Sequence, residues 1–275
     1  MKVSAVFTGA NLRVLGHLAS RRDVRLVHCC FHKKAGDSAD FVSLCHRRRL
    51  AHSIVRSNDE IVKALADAGD IDVGIAASFE MLSPEVFSRP RLFLNVHPSW
   101  LPQYRGANPF YHMLLNGEKF GGVSVHSITG RVDGGRIFCR GRYPIRLTDD
   151  IATLIRKADR VAVRLLRRHL RSILEGRCKG VRNVGGSYYP PVRERQFIDL
   201  AMSPERIYNL IRSQTIYGGC LLNLDDRVVC IKKAALCRKC FPIRCEAGPV
   251  DLGSEIRLPW NSRRDLLLKI EEAGR

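Results

Sequence analysis

The chain contains no apolar run long enough to cross a bilayer. Its opening residues, Met1-Lys2-Val3-Ser4-Ala5-Val6-Phe7 leading into Thr8-Gly9, form no signal-peptide h-region. Together these absences argue against a membrane partner and make the cytoplasm the expected compartment. Acidic residues are scarce: 46 Lys+Arg against 27 Asp+Glu leave a formal net charge of +19. Such a field favours acidic ligands, whether nucleotide phosphates, tRNA or another polyanionic surface, without choosing among them. A dinucleotide fingerprint is missing as well. Gly9 and Gly16 do not supply the Gly-x-Gly-x-x-Gly spacing, so an NAD site is disfavoured and Gly9 reads as a sharp turn after a strand. Only one Cys-x-x-Cys occurs, Cys237-Arg-Lys-Cys240, and the flanking Cys230 and Cys245 do not repeat its spacing. No metal site is therefore expected. Cys29, Cys30, Cys45, Cys139, Cys178 and Cys220 are scattered through mostly apolar settings and read as reduced packing thiols.

With 275 residues, 45% of them hydrophobic, the chain can bury one large core and a smaller one. Residues 3–7 and 24–30 read as strands, separated by a helix carrying Leu12, Leu15 and Leu18. Another helix carries Phe41, Leu44 and Cys45 and ends in the basic run His46-Arg47-Arg48-Arg49, and a third begins at Asp59. Residues 72–77 form a further strand. Strands alternating with helices in this way predict a doubly wound, mostly parallel α/β sheet.

The stretch that organises the rest is Leu92-Phe-Leu-Asn95-Val-His97-Pro98-Ser99-Trp100-Leu101-Pro102-Gln-Tyr104-Arg105-Gly106. Leu92, Phe93, Leu94 and Val96 read as a buried strand that Pro98 terminates, since proline donates no ladder hydrogen bond and restricts the residue before it. A strand period of two puts the Asn95 and His97 side chains on one face, where an amide and an imidazole can reach one reacting atom. Gly122 to Ser127 and Arg136 to Tyr143 read as later strands flanking a loop with Val132-Asp133-Gly134-Gly135. His126 reads as a structural strand residue.

The order and spacing of Asn95, His97, Pro98, Ser99, Leu101, Pro102, Tyr104, Arg105 and Gly106, followed by Asn116-Gly117-Glu118, Gly122-Val123-Ser124-Val125-His126 and Asp133-Gly134-Gly135, resemble the N10-formyltetrahydrofolate-dependent formyltransferase family. Trp100 stands where an aliphatic residue is usual, and Gly134-Gly135 where a Thr-Gly pair is common. The resemblance implies an enzyme that transfers a formyl group from N10-formyltetrahydrofolate to an amine, with Asn95, His97 and Asp133 catalytic. Asn95 and a His97 N–H would donate to the developing oxyanion. Asp133 would hold the imidazole tautomer, raise its pKa and relay a proton. Phe79, Glu80, Met81 and Leu82, after the strand at 72–77, are implied cofactor contacts together with Val132. Ser99, Tyr104, Arg105 and Gly106 are implied at the acceptor.

A helix from about residue 150 to Gly176 places Ile151, Leu154, Ile155, Ala158, Ala162, Leu165, Leu166 and Ile173 on one face, and Arg156, Lys157, Arg160, Arg164, Arg167, Arg168 and Arg171 on the other. A solvated face is its ordinary meaning, with polyanion binding as the alternative. Gly185-Gly186-Ser187-Tyr188-Tyr189-Pro190-Pro191 marks a linker. Residues 1–184 are thus expected to form the catalytic domain, and 185–275 a linker helix and a small β-rich subdomain. In that second part Ser203 caps a helix with Pro204 in its first turn, Asp225-Asp226, Pro242, Gly248-Pro249 and Gly253 punctuate short strands, and residues 265–272 read as a closing helix. The paired prolines and Ile207-Tyr-Asn-Leu-Ile-Arg212 look closer to enzymes that formylate nucleotide-linked amino sugars than to methionyl-tRNA formyltransferases. The leading acceptor is therefore a nucleotide-linked amino sugar, with methionyl-tRNA as the alternative. A non-enzymatic nucleic-acid-binding protein on the same scaffold is the reading from another class, and a homodimer is allowed.

Overall fold

Of the 275 residues, the computed structural model describes 2–33, 37–192, 194–224, 227–238, 250–251, 255–261 and 264–272. The backbone separates into two compact units, one comprising Met1–Gly106, Gly121–Tyr143 and Lys157–Tyr188, the other Ala107–Phe120, Pro144–Arg156 and Tyr189–Arg275.

The first unit grows from β1 (Val3–Gly9), in which every residue after Val3 is buried, as expected of a parallel strand covered on both faces. Asn11 then caps α1 (Leu12–Ser20) by accepting from the Val14 N–H at 3.0 Å, and the helix buries Val14, Leu15 and Leu18. β2 (Val24–His32), α2 (Ala39–Arg48), β3 (His52–Val55), α3 (Asn58–Ala64), β4 (Val73–Ala77), α4 (Pro84–Phe87) and β5 (Leu92–His97) follow, then β6 (Arg105–Gly106), α5 (Pro109–Leu115), β7 (Phe120–Ser127) and β8 (Ile137–Pro144). The main sheet has seven strands in the order β3-β2-β1-β4-β5-β7-β8. It is parallel from β3 to β5, and β7 runs antiparallel to β5.

The chain builds outward from β1 to β3 on one side and then returns to place β4 on the other. The carboxyl ends of β1 and β4 therefore flank a topological switch point, where open α/β sheets form their crevice. Gly9 sits there at φ +142°, and a Cβ on it would lie 1.9 Å from the Ala77 carbonyl oxygen. Close packing of two strand ends thus accounts for this glycine. α6 (Ile151–Leu174) buries Ala158, Val161, Ala162, Leu165, Leu166, Leu170 and Ile173, with Val161 lying over Gly141 of β8. After it come β9 (Tyr188–Tyr189), α7 (Pro204–Ser213), β10 (Cys220–Leu224), β11 (Arg227–Arg238), β12 (Val250–Asp251), β13 (Glu255–Asn261) and β14 (Arg264–Glu272).

In the second unit α7 starts as the sequence predicts: the Ser203 hydroxyl accepts from the Arg206 N–H, Pro204 occupies the first turn, and Ile207, Leu210 and Ile211 are buried. They share a core with Cys220, Leu222, Val229, Ile231, Leu266 and Leu268. The small sheet is antiparallel, in the order β10-β11-β14-β13-β12. Residues 265–272, expected to be helical, instead form β14 between β11 and β13. Leu266 and Leu268 are fully buried, Leu267 is half-buried and Lys269 is exposed. That alternation has period two, which the unbroken Leu266-Leu267-Leu268 run conceals in the sequence. Cys240 and Cys245, and the turn signals Asp225-Asp226, Pro242, Gly248-Pro249 and Gly253, lie outside the described residues. Among the described residues no group of His, Cys, Asp and Glu could hold a metal ion, and no helix is long and apolar enough to cross a membrane.

Candidate active site

β5 brings Asn95 and His97 to its carboxyl end, and its antiparallel neighbour β7 sets Asn95 opposite His126 and His97 opposite Ser124. Side chains directly opposed on one face of an antiparallel pair touch. Asn95 Nδ2 lies 3.2 Å from His126 Nε2. Ser124 ties the turn that follows β5: its hydroxyl donates to the Ser99 carbonyl at 2.7 Å and accepts from the Leu101 N–H at 3.0 Å.

The loop after β7 returns Asp133 to the same place. Its backbone is left-handed, φ 45°, a conformation that aspartate tolerates better than most residues. The buried Asn183 steadies it by donating to the Asp133 carbonyl at 2.6 Å. One carboxylate oxygen accepts from Asn95 Nδ2 at 3.2 Å and faces His126 Nε2 at 3.4 Å and His97 Nδ1 at 3.6 Å. The other accepts from the Gly106 N–H at 2.8 Å. The three residues singled out as catalytic, far apart in the chain, therefore converge, and His126 joins them. Its position depends on strand register, for which the sequence carries no local signal.

Hydrogen-bond partners fix the protonation states. Among the described residues His97 Nε2 pairs with the Tyr104 carbonyl, 2.8 Å away; a carbonyl only accepts, so the proton of neutral His97 sits on Nε2 and Nδ1 carries a lone pair. His126 Nδ1 donates to the Ser127 carbonyl at 2.9 Å, and its Nε2 faces Asn95 Nδ2 at 3.2 Å and Asp133 Oδ1 at 3.4 Å. Burial pushes the His97 pKa down and outweighs the upward pull of Asp133 and the Tyr104 carbonyl. The expectation that Asp133 raises this pKa is thus met in sign for the pair interaction but reversed in the net result. Burial alone would raise the Asp133 pKa, yet the His126 and His97 rings and the Gly106 N–H together hold it at about 2. At neutral pH the cluster is a carboxylate facing an unprotonated imidazole nitrogen. A proton arriving on Nδ1 would face Asp133 Oδ1, 3.6 Å away, while Nε2–H keeps the Tyr104 carbonyl, so the protonated ring would have an acceptor at each nitrogen.

The remaining anticipated residues divide. Tyr104 takes a left-handed conformation, φ 58°, supplies the carbonyl for His97 and donates its N–H to the Ser187 hydroxyl at 2.9 Å. Gly106, φ 95°, supplies the N–H for Asp133. Arg105 is 6% exposed; Nη2 donates to the Gly185 carbonyl and Nη1 has no partner. Ser99 is fully buried with its hydroxyl donating to the Gln103 carbonyl at 2.7 Å, which gives it the task of closing the turn. In the loop after β4, Ser78 is left-handed at φ 58°, Phe79 and Leu82 pack against the core beside Val6 and Phe93, and Glu80 and Met81 point outward. Met81 is 75% exposed. Val132 is half-buried in the Asp133 loop. The second unit has a depression of about 390 Å3 bordered by Tyr111, His112 and Leu115; no member of the Asn95 cluster lines it.

Comparison with known proteins places this geometry. A profile of the family described as formyl transferase matches residues 27–170, just over half of the chain. The chain belongs to the formyl transferase family. Among its relatives, methionyl-tRNA formyltransferase of Bacteroides fragilis is 29% identical over 201 residues, a match covering 69% of this chain but only 62% of that protein. The enzyme of the same name from Bacillus velezensis is 32% identical over 231 residues, covering 80% of this chain and 71% of its own length. Among solved formyl transferase structures, WlaRD, a sugar 3N-formyl transferase crystallised with dTDP and 5-N-formyl-THF, shares the fold over 98% of both chains with a TM-score of 0.76 at 16% identity.

Proposed function

We propose that the chain is an N-formyltransferase that moves the formyl group of N10-formyltetrahydrofolate to the primary amine of a nucleotide-linked amino sugar. The observation that carries the chemistry is the convergence of Asn95, His97 and Asp133 on one point at the end of β5, with distances of 3.2 Å and 3.6 Å to Asp133 Oδ1. Formyl transfer to an amine needs a donor for the carbonyl oxygen as it gains charge, and a base for the proton that the attacking nitrogen must lose. Asn95 is the donor. One amide hydrogen stays on Asp133 Oδ1 and fixes the amide's orientation before substrate arrives, while the other, which rests near His126 Nε2 at 3.2 Å, exchanges that contact for the oxyanion as charge develops. His97 is the base, through the lone pair on Nδ1. Its single N–H is engaged by Tyr104, so in the neutral state it does not donate to the oxyanion. It becomes a donor at Nδ1 only after accepting the amine's proton, which it then returns to the departing N10. Asp133 makes that protonated state tolerable inside a buried site.

Tetrahydrofolate fits beside this cluster because the neighbouring loop leaves Met81, Glu80 and its backbone facing outward, while Phe79 and Leu82 anchor it. Met81 and Val132 would supply apolar contacts to the pterin. When bound, the folate contributes the activated formyl group. The sugar reading is supported by a fold match spanning 98% of both this chain and WlaRD. Methionyl-tRNA is the second reading, favoured by the names of the sequence relatives. An assay with N10-formyltetrahydrofolate and a panel of dTDP- and UDP-linked amino sugars, with methionyl-tRNA alongside, separates them. Product with a sugar amine and none with methionyl-tRNA is expected. Product with methionyl-tRNA alone would overturn the acceptor, and none with any amine would overturn the chemistry.

A further inference from the structure

α6 presents to solvent a face that the Asn95 cluster does not use. Arg160, Arg164, Arg167, Arg168 and Arg171 are all exposed. At about 100° per residue they fall within an arc roughly 100° wide, along about 16 Å of helix. Among the described residues only Arg171 of these has a carboxylate partner, Glu175 at 2.9 Å, and Glu175 is shared with Arg177. Asp159 lies off this arc and accepts from Asn11 at 2.7 Å with Arg13 3.8 Å away. What lies beside the stripe is mixed: Arg21 and Arg167 both reach His17, and Asp23, bound by Arg21 at 2.6 Å, also reaches Arg171. Arginines of one sign repel, and among the described residues Arg160, Arg164, Arg167 and Arg168 have no carboxylate within ion-pair distance.

We propose that this face of α6 binds the phosphodiester backbone of a nucleic acid. A nucleotide sugar carries only two phosphates and needs a recess, whereas this is a convex ridge with charges spaced about 6 Å apart, one helical turn. That geometry suits a long polyanion read by its backbone. Guanidinium groups bind phosphate with a planar fork that ammonium lacks. An anionic membrane is the poorer fit, because none of the exposed large hydrophobic residues belongs to α6, leaving nothing to insert below the headgroups. The inference does not rest on the acceptor reading above.

Fluorescence anisotropy of the full chain with a labelled tRNA transcript and with a labelled B-form DNA duplex, at increasing NaCl, tests it. Each phosphate neutralised contributes roughly 0.7 to 0.9 to the slope of log affinity against log salt. Arg164→Glu with Arg168→Glu is expected to weaken binding at least about tenfold and to lower that slope by about 1.5 to 2. The double variant Arg47→Glu with Arg48→Glu, which changes net charge equally at an exposed site on α2, is expected to weaken it less than threefold. Thermal melts and formyl transfer to a small amine are expected to be unchanged in both. Tighter binding of tRNA or of duplex assigns the preferred nucleic acid. Equal losses in the two double variants, no anisotropy change with either probe, or tighter binding to phosphatidylserine vesicles than to both would overturn the proposal.

Discussion

Two charged regions of the first unit obey opposite rules. At the end of β5 one carboxylate, Asp133, has the Asn95 amide, two imidazoles and the Gly106 N–H around it. On α6 the arginines point into water, and among the described residues all but one lack a carboxylate partner. Burial makes every partner in the first region count, because a buried charge without compensation costs several kcal/mol. Solvent makes each charge in the second nearly free, so its meaning lies in the summed field. Substitutions should therefore act one residue at a time at the cluster and only in groups on α6.

The largest effect is expected at Asp133. Asp133→Asn keeps the shape but removes the charge that tolerates a protonated His97, and turnover should fall by about a thousandfold, about 4 kcal/mol in barrier, with KM for the folate changed less than threefold. Steady-state kinetics with both substrates varied checks this; unchanged turnover removes Asp133 from the mechanism.

Next comes pH. His97 has a folded pKa below its unfolded value of 6.5, so below pH 6.5 the unfolded chain takes up a proton that the folded site refuses, and stability falls as pH falls. Its contribution is complete above that value. Asp133 works further down: with a folded value of about 2 against 3.8, it stabilises above pH 3.8 and loses that contribution between 3.8 and about 2, a difference of about 2 kcal/mol. Activity should follow the unprotonated His97, with an acid limb in kcat/KM lying below pH 6.5. His97→Gln should abolish the limb and lessen the fall of the melting temperature between pH 7.5 and 5.5, the remainder coming from His17, His28 and His112, whose pKa values burial also lowers. A limb that persists in the variant would point to another base.

His126 measures what the strand register adds. It contacts Asn95 and Asp133 without standing between the proposed base and the substrate, so it positions both. His126→Ala should lower turnover about tenfold to a hundredfold and leave the pH limb where it is, whereas His126→Gln, which keeps an acceptor for Asn95, should recover most of the loss. Equal activity in both variants and wild type would make it a packing residue only.

Asn95, His97 and Asp133 were legible through the resemblance of their segments to the formyltransferase pattern; alternation in Leu92-Phe-Leu-Asn-Val-His put the first two on one face, whereas nothing local brought Asp133 to them. His126 was visible as a strand residue but not as a neighbour of Asn95, since β5–β7 pairing is set by a turn of non-local contacts. Ser99 and Arg105, implied at the acceptor, are buried because their loop folds back onto Ser124, Gly185 and Ser187. In the loop after β4 the resemblance pointed to a segment by its position but could not say which side chains turn inward. β14 failed for a different reason, because three consecutive leucines satisfy either period and the tertiary partner decides.

The smallest effect is expected on α6, and it is the control for everything said of the cluster. Arg164→Ala removes an exposed charge that has no partner and touches a face whose packing residues, Ala162, Leu165 and Leu166, lie beneath it. Surface substitutions of this kind leave stability nearly unchanged, so the melting temperature should move by less than about 2 °C. Relief of repulsion from Arg160 and Arg168, one turn away on either side, makes any shift upward, and more so at low salt where screening is weaker. A fall of 5 °C or more would mean that Arg164 holds a structural contact, and the contrast between a buried charge fixed by partners and an exposed row kept for an outside ligand would fail at its second term.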